Sequence, residues 1–182
     1  IIDKYNELGY RDAQIIVDSI TPFDDRTVDI YMHIEEGEQY YLRNITWVGN
    51  TIYPSDYLAA LLQMKKGDVY NQKLLGERTS TDEDAIGNKY YNQGYVFYNL
   101  DPVEVNIVGD SIDLEMRIVE GPQATINRVR INGNDRLYEN VVRRELRTKP
   151  GDLFNKDALE RSYREIAQMG HFNPENIQPD VQ

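Results

Sequence analysis

The chain has 182 residues, 40% hydrophobic and 28% charged, with a formal net charge of -11 and no cysteine. The acidic excess argues against nucleic acid and anionic lipid as partners, since both are held by clustered Lys and Arg. The lack of cysteine excludes disulfides, thiol nucleophiles and thiolate metal sites, and no apolar run reaches the roughly 18 residues of a membrane-spanning helix.

In chain order, a short helical stretch ends at Gly9-Tyr10, and a strand containing Pro22 follows. Val28-Asp29-Ile30-Tyr31-Met32-His33-Ile34 then alternates as a half-buried strand does. After Gly37 the residues Tyr41 to Val48 form a strand with Ile45 and Trp47 on one face, closing on Gly49-Asn50. Pro54 opens a helix carrying Tyr57, Leu58, Leu61 and Leu62, which is expected to run until Gly67. Asn71 caps a second helical stretch that ends at Gly94-Tyr95. Next comes an irregular strand over about Val96 to Val108 containing Pro102, and then the cleanly alternating Ile112 to Ile118. Proline lacks an amide hydrogen, so the strand holding Pro102 belongs at a sheet edge or bulge. The series restarts with a strand from Ile126 to Asn132 with Val129 and Ile131 inward, a helix with Leu137, Val141, Val142 and Leu146, a cap at Asn155 and a helix ending at Gly170-His171.

That restart is a true repeat. Ile34-Glu35-Glu36-Gly37, Gln39, Ile45 and Gly49-Asn50 return as Ile118-Val119-Glu120-Gly121, Gln123, Val129 and Gly133-Asn134, an offset of 84 positions. The same offset carries Lys65, Gly67-Asp68 and Asn71 to Lys149, Gly151-Asp152 and Asn155. A period near eighty exceeds the roughly 20 to 50 residues of solenoid repeats, so each unit is expected to be a small domain. The expected division is 1–38 as the back part of one unit, 39–121 as a complete unit and 122–182 as the front of a third. On this reading the chain is a piece of a longer array, in which no leader peptide is expected. Each unit is α+β, a β-α-α-β-β module with a three-stranded mixed sheet and two helices packed on one face. From Asn71 to Gly94 the second helical stretch is eight residues longer than from Asn155 to Gly170. The extra length reads either as two more turns or as an irregular bulge over Thr79 to Asp84.

This order, with the Gly-Asn turn after the first strand, the Lys-x-Gly-Asp-x-(aromatic)-Asn link and the Gly-Tyr after the second helix, resembles the POTRA family of polypeptide-transport-associated modules. The resemblance covers essentially the whole chain, and Val141-Val142-Arg143-Arg144-Glu145-Leu146 is similar to the first helix of the membrane-proximal module. It implies the periplasmic scaffold of an outer-membrane β-barrel assembly factor. Such a scaffold contacts unfolded outer-membrane β-barrel proteins, docks accessory lipoproteins and reaches the membrane through a C-terminal β-barrel that this sequence does not contain.

An unpaired strand edge supplies a physical mechanism, because its backbone groups pair with any extended peptide almost regardless of sequence. The candidate edge is Val96, Phe97, Tyr98, Asn99, Leu100, Val103 and Val105. The resemblance associates the acidic position Glu145, with Arg143 and Arg144, with lipoprotein docking, although a solvated helix face explains such charges as well. Gly37, Gly121 and Pro122 mark short junctions, too short for free tethers and suited to limited hinge bending.

Other function classes find little support. The two histidines, His33 and His171, stand on an outward strand face and in a tyrosine position of the repeat, and no catalytic motif occurs. No catalytic residue, metal or cofactor is expected. Asp24-Asp25 and Asp82-Glu83-Asp84 lack the glycine and terminal Glu of a calcium loop. Within the same family, two-partner secretion transporters are the alternative, and an adhesive extracellular repeat is a further one.

Overall fold

The computed structural model describes residues 1–134 and 137–173, together with 175 and 177; the end of the third expected unit lies outside the described residues. In chain order the elements are α1 (Ile2–Glu7), β1 (Gln14–Pro22), β2 (Val28–Glu35), β3 (Tyr41–Val48), α2 (Ser55–Leu62), α3 (Gln72–Gly76), a π-helical turn (Glu77–Thr81), α4 (Ile86–Tyr91), β4 (Asn99–Val108), β5 (Ser111–Val119), α5 (Glu139–Arg143) and α6 (Lys156–Gln168). Contacts gather them into two compact units, Ile1–Ile86 with Leu100–Ile118, and Gly87–Asn99 with the described residues from Val119 onward.

In the first compact unit, β3, β5 and β4 form a three-stranded sheet in that order. β3 runs parallel to β5, and β4 joins β5 through the two-residue turn Gly109-Asp110, which makes that pair antiparallel. The sheet is therefore mixed, as expected, and one of its faces is buried. Leu42, Ile112, Leu114 and Met116 pack there with Leu58 and Leu62 of α2, Leu75 of α3 and Ile86 of α4, all of them buried. Each side chain of this kind stabilises by about 1.5–3 kcal/mol. The opposite face is wet, and on it Arg43 Nε donates to Asp113 at 2.8 Å.

A register shift between Leu42 and Asn44 was not apparent in the sequence. Unbroken alternation from Ile45 and Trp47 sends Leu42 outward; the bulge turns it into the core, because an extra residue reverses the side-chain parity.

The repeated motifs each close a specific gap in backbone hydrogen bonding. The Asn50 carboxamide donates to the carbonyl of Tyr53 at 2.9 Å and to Ser55 Oγ at 3.1 Å, tying the Gly-Asn turn to the start of α2. Asp68 Oδ2 accepts from the Lys65 amide and Asp152 Oδ2 from that of Lys149, both at 2.9 Å. The Gly67 amide donates to the Leu42 carbonyl and that of Gly151 to Ile126, both at 2.7 Å. Asn71 and Asn155 accept from the amides of Leu74 and Ala158 at 2.9 and 2.8 Å, capping the helices that follow.

Several expectations need correction. α2 stops at Leu62, not Gly67, because Gln63 takes a left-handed conformation with φ 57°. Of the two readings of the long second helical stretch in the expected middle unit, the irregular one holds, since the stretch is broken into α3, the π turn and α4. Arg78 holds the break by donating to the Leu61 carbonyl at 2.8 Å and to Asp84 at 2.8 and 3.0 Å. The strand expected from Val96 begins only at Asn99, after a turn in which the Tyr98 amide donates to the Tyr95 carbonyl. Ile126 to Asn132 form no strand, since no described strand pairs with them as β5 pairs with β3. β1 and β2 make only a two-stranded ribbon, in which Ile30 is 59% exposed, whereas Leu114 at the matching repeat position is 1% exposed. No helix among the described residues is long and apolar enough to cross a membrane.

Candidate functional site

Among the described residues the outer strands β3 and β4 each have one strand neighbour, β5, and the start of β3 is bonded on its other side by the link from Gly67 to Tyr70. Across a two-residue hairpin, opposed residues share a face, so Val105 and Ile107 lie on the helix side with Leu114 and Ile112. Those two β5 residues are fully buried, but Val105 is 47% and Ile107 41% exposed. The helices stop covering the sheet at this margin, and a flank of unpaired backbone runs beside an apolar border. Pro102 lies inside β4 and supplies no amide hydrogen.

Of the seven candidate edge residues, Asn99, Leu100, Val103 and Val105 are on β4 and the other three precede it. Phe97 is 65% exposed, but Tyr98 is only 8% exposed. The Tyr98 ring stacks on Tyr90 with centroids 4.2 Å apart and meets Tyr91 edge-on at 6.0 Å. Its hydroxyl has no hydrogen-bond partner among the described residues, and burial pushes its pKa up. Tyr98 is therefore a packing residue and not part of the presented edge. Sequence alone did not separate buried tyrosines (Tyr70, Tyr90, Tyr98) from exposed ones (Tyr31, Tyr57, Tyr138).

The glycines expected to mark junctions each lie against a neighbouring residue, Gly37 against Asp12 and Gly121 against Phe97. Gly37 and Gly121 have φ of 75° and 66°, and a Cβ on Gly121 would stand 2.9 Å from Phe97 Cβ. Around each junction the same set of bonds recurs. Tyr5 Oη donates to Glu36 at 2.9 Å and Tyr90 Oη to Glu120 at 3.0 Å. Gln39 Nε2 donates to the Leu8 carbonyl at 2.7 Å and Gln123 Nε2 to that of Gln93 at 2.9 Å. The amides of Tyr40 and Ala124 donate to the carbonyls of Gly9 and Gly94 at 2.9 and 2.8 Å. The signal for these contacts was present in the repeat, where Tyr5, Glu36 and Gln39 return as Tyr90, Glu120 and Gln123. It was missed because each residue type is unremarked by itself.

The first junction adds charge. Lys73 Nζ and Lys4 Nζ lie 2.7 and 2.5 Å from the Glu7 carboxylate, and their hydrogen bonds lower the Glu7 pKa to about 2. The second junction has Asn92 Oδ1 accepting from the Asp157 amide at 3.0 Å and Lys156 Nζ donating to Asn88 at 2.7 Å.

Arg143 is the last residue of α5, and Arg144 and Glu145 lie in the turn beyond it, which corrects their expected place within a helix. Arg143 Nε donates to Glu139 at 3.1 Å, and Arg144 Nε to Glu145 at 2.9 Å. Nearby, Arg147 forks onto Glu165 at 2.8–3.1 Å, which lowers the Glu165 pKa. Arg144, Glu145, Arg147, Glu165, Gln168 and His171 line a shallow, open groove. The acidic residues elsewhere have structural work: Asp24 Oδ1 accepts from the amides of Arg26 and Thr27 in the β1–β2 turn. No cluster of three or more His, Asp or Glu suited to a metal ion occurs among the described residues.

Comparison with known proteins gives a consistent result. The POTRA family model, described as "Surface antigen variable number repeat", matches residues 40–121 and 124–182. The outer membrane protein assembly factor BamA of Neisseria meningitidis serogroup B is 28% identical, over 100% of this chain and 22% of its own length. BamA of Nitratidesulfovibrio vulgaris is 25% identical, over 91% of this chain and 21% of its own length. The chain spans about a fifth of the curated relatives it matches. The crystal structure of POTRA3-5 of Haemophilus influenzae BamA superposes with a TM-score of 0.75 at 23% identity, covering 94% of this chain and 67% of that one, which establishes the shared fold.

Proposed function

The chain belongs to the POTRA family, and from that premise we propose that it is a periplasmic scaffold region of an outer-membrane β-barrel assembly factor. Its reading is a scaffold and not a catalyst, with units at 1–38, 39–121 and 122–182. The printed names of the relatives, outer membrane protein assembly factors BamA, support this, as does the offset of 84 positions that carries one unit's residues onto the next.

Unfolded outer-membrane β-barrel proteins engage it by adding a strand to β4. The observation that carries this reading is the unpaired flank of β4 beside the exposed Val105 and Ile107. Each backbone hydrogen bond contributes about 0.5–1.5 kcal/mol net, against an ordering cost of about 1–2 kcal/mol per residue of client. The two nearly cancel, so apolar contacts at the margin set the affinity, and Pro102 keeps the added strand short. Weak, reversible engagement is what a receptor for many clients requires.

Accessory lipoproteins dock at Arg143, Arg144 and Glu145, and Gly37, Gly121 and Pro122 permit only small angular adjustment. The test of the client site is photocrosslinking from Val105 in the presence of an unfolded barrel protein, with Thr46 on β3 as the control position. Crosslinks from Val105 and none from Thr46 support the reading; equal yields at both positions overturn it. For the docking site, Glu145→Lys is expected to abolish lipoprotein capture without lowering the Val105 crosslink.

A further inference from the structure

Glu104 lies on β4, and each of its carboxylate oxygens is held by another part of the chain. Arg11, in the turn after α1, places Nη2 2.8 Å from Oε2, and Tyr70, just before α3, donates its hydroxyl to Oε1 at 2.8 Å. The same three residues join the first junction through Tyr40. The Tyr70 amide donates to the Tyr40 carbonyl at 2.9 Å, and the Tyr40 amide donates to the Gly9 carbonyl at 2.9 Å. The Arg11 guanidinium sits 5.8 Å from the Tyr40 ring centroid. The circuit closes on itself, so β4 and the turn after α1 are joined by one continuous set of contacts. At the second junction the position corresponding to Arg11 is Val96, which cannot form this bridge.

We propose that Glu104 is a positioning residue that couples the β4 edge to the first junction, so that adding a strand to β4 loosens that junction. The second half of this statement rests on the reading of β4 as the client edge; the bridge itself does not. An added strand sets a side chain opposite Glu104 at roughly 4.5–5.5 Å between Cβ atoms, where a basic or donor side chain competes with Arg11 for the carboxylate. Coupling of this kind is reciprocal. A junction already freed from β4 leaves the edge easier to occupy.

The chain has no cysteine, so spin labels at Asp29→Cys on β2 and Lys66→Cys beyond α2 report on the junction without background. The distance distribution between them is expected to be narrow in the otherwise unaltered chain. It should be broadened by Arg11→Ala, further by Glu104→Ala, which also loses the Tyr70 bond, and no further by the two together. The exchange Arg11→Glu with Glu104→Arg should narrow it back in part, towards the unaltered distribution, because it re-forms the ion pair but not the Tyr70 bond. Urea unfolding of each variant separates this effect from loss of folding: a variant that broadens the distribution while keeping the unaltered urea midpoint is folded and loosened at the junction. A peptide with an alternating barrel-strand sequence and a central Lys should broaden the unaltered distribution and bind Arg11→Ala two- to fivefold more tightly. Distributions indifferent to all the substitutions overturn the bridge. Peptide that protects β4 but leaves the distribution narrow overturns the coupling. Failure of the peptide to reach β4, with the variants still broadened, counts against the client reading alone and leaves the bridge standing.

Discussion

Gly49 and Gly133 occupy the same place in the repeat and have nearly the same conformation, with φ of 88° and 81°, yet the structure assigns them very different tolerances. A Cβ on Gly49 would stand 2.1 Å from the carbonyl oxygen of Ile118, a backbone atom of the central strand that cannot move without breaking the β3–β5 pairing. A Cβ on Gly133 would meet nothing within 4 Å. Both alanine substitutions bear the left-handed penalty of about 1–2 kcal/mol. Only Gly49→Ala adds overpacking, about 1–3 kcal/mol, for a total of about 2–5 kcal/mol. Trp47, the single tryptophan, lies two residues from Gly49, so its fluorescence follows unfolding of the sheet. For a domain of this size each kcal/mol lowers Tm by about 4–8 °C. Gly49→Ala is expected to lower the Trp47 transition by about 10 °C or more, whereas Gly133→Ala, read in its own unit by amide hydrogen exchange under native conditions, costs only the left-handed penalty of about 1–2 kcal/mol. Equal losses at the two sites would refute the packing of the Gly-Asn turn against the end of β5.

Three further outcomes are expected. Glu7 has a lowered pKa, so the stability it confers is present above its unfolded value of about 4.3 and disappears as pH falls through about 2. The stability advantage of the unaltered chain over Glu7→Gln, measured by urea unfolding, should thus be full at pH 6 and closed near pH 2. Arg78→Ala leaves the Leu61 carbonyl without its donor, costing about 1–3 kcal/mol. Arg78→Lys should not rescue it, because an ammonium cannot reproduce the two-pronged bond to Asp84. Tyr98→Phe removes a buried hydroxyl that has no partner among the described residues and should be neutral or stabilising, whereas Tyr90→Phe loses the bond to Glu120 and should cost about 1 kcal/mol; urea midpoints distinguish the two.

Much of the module was legible in the sequence because its repeated residues are those that satisfy backbone groups. Asn71 and Asn155 read as caps and are caps, and Asp68 and Asp152, which return at the same offset, each accept from a backbone amide. Proline in β4 pointed to an edge, and β4 is an edge. The features that stayed hidden depend on partners distant in sequence. Leu42 turns inward through a bulge that no local pattern marks, and Arg78 spans a helix break by reaching the carbonyl of another helix. Tyr98 has the composition of a strand residue, but its ring finds Tyr90 and Tyr91 before β4 begins. Glu104 looks like an ordinary solvated charge until Arg11 and Tyr70 are seen to converge on it.

The account stands on the free flank of β4 as the place where an extended client adds. Amide hydrogen exchange in the presence of an alternating barrel-strand peptide measures this directly. New protection is expected at alternate amides between Asn99 and Val108, with none gained along β3. Protection that appears on β3, or at no strand while the peptide is demonstrably bound, would contradict it.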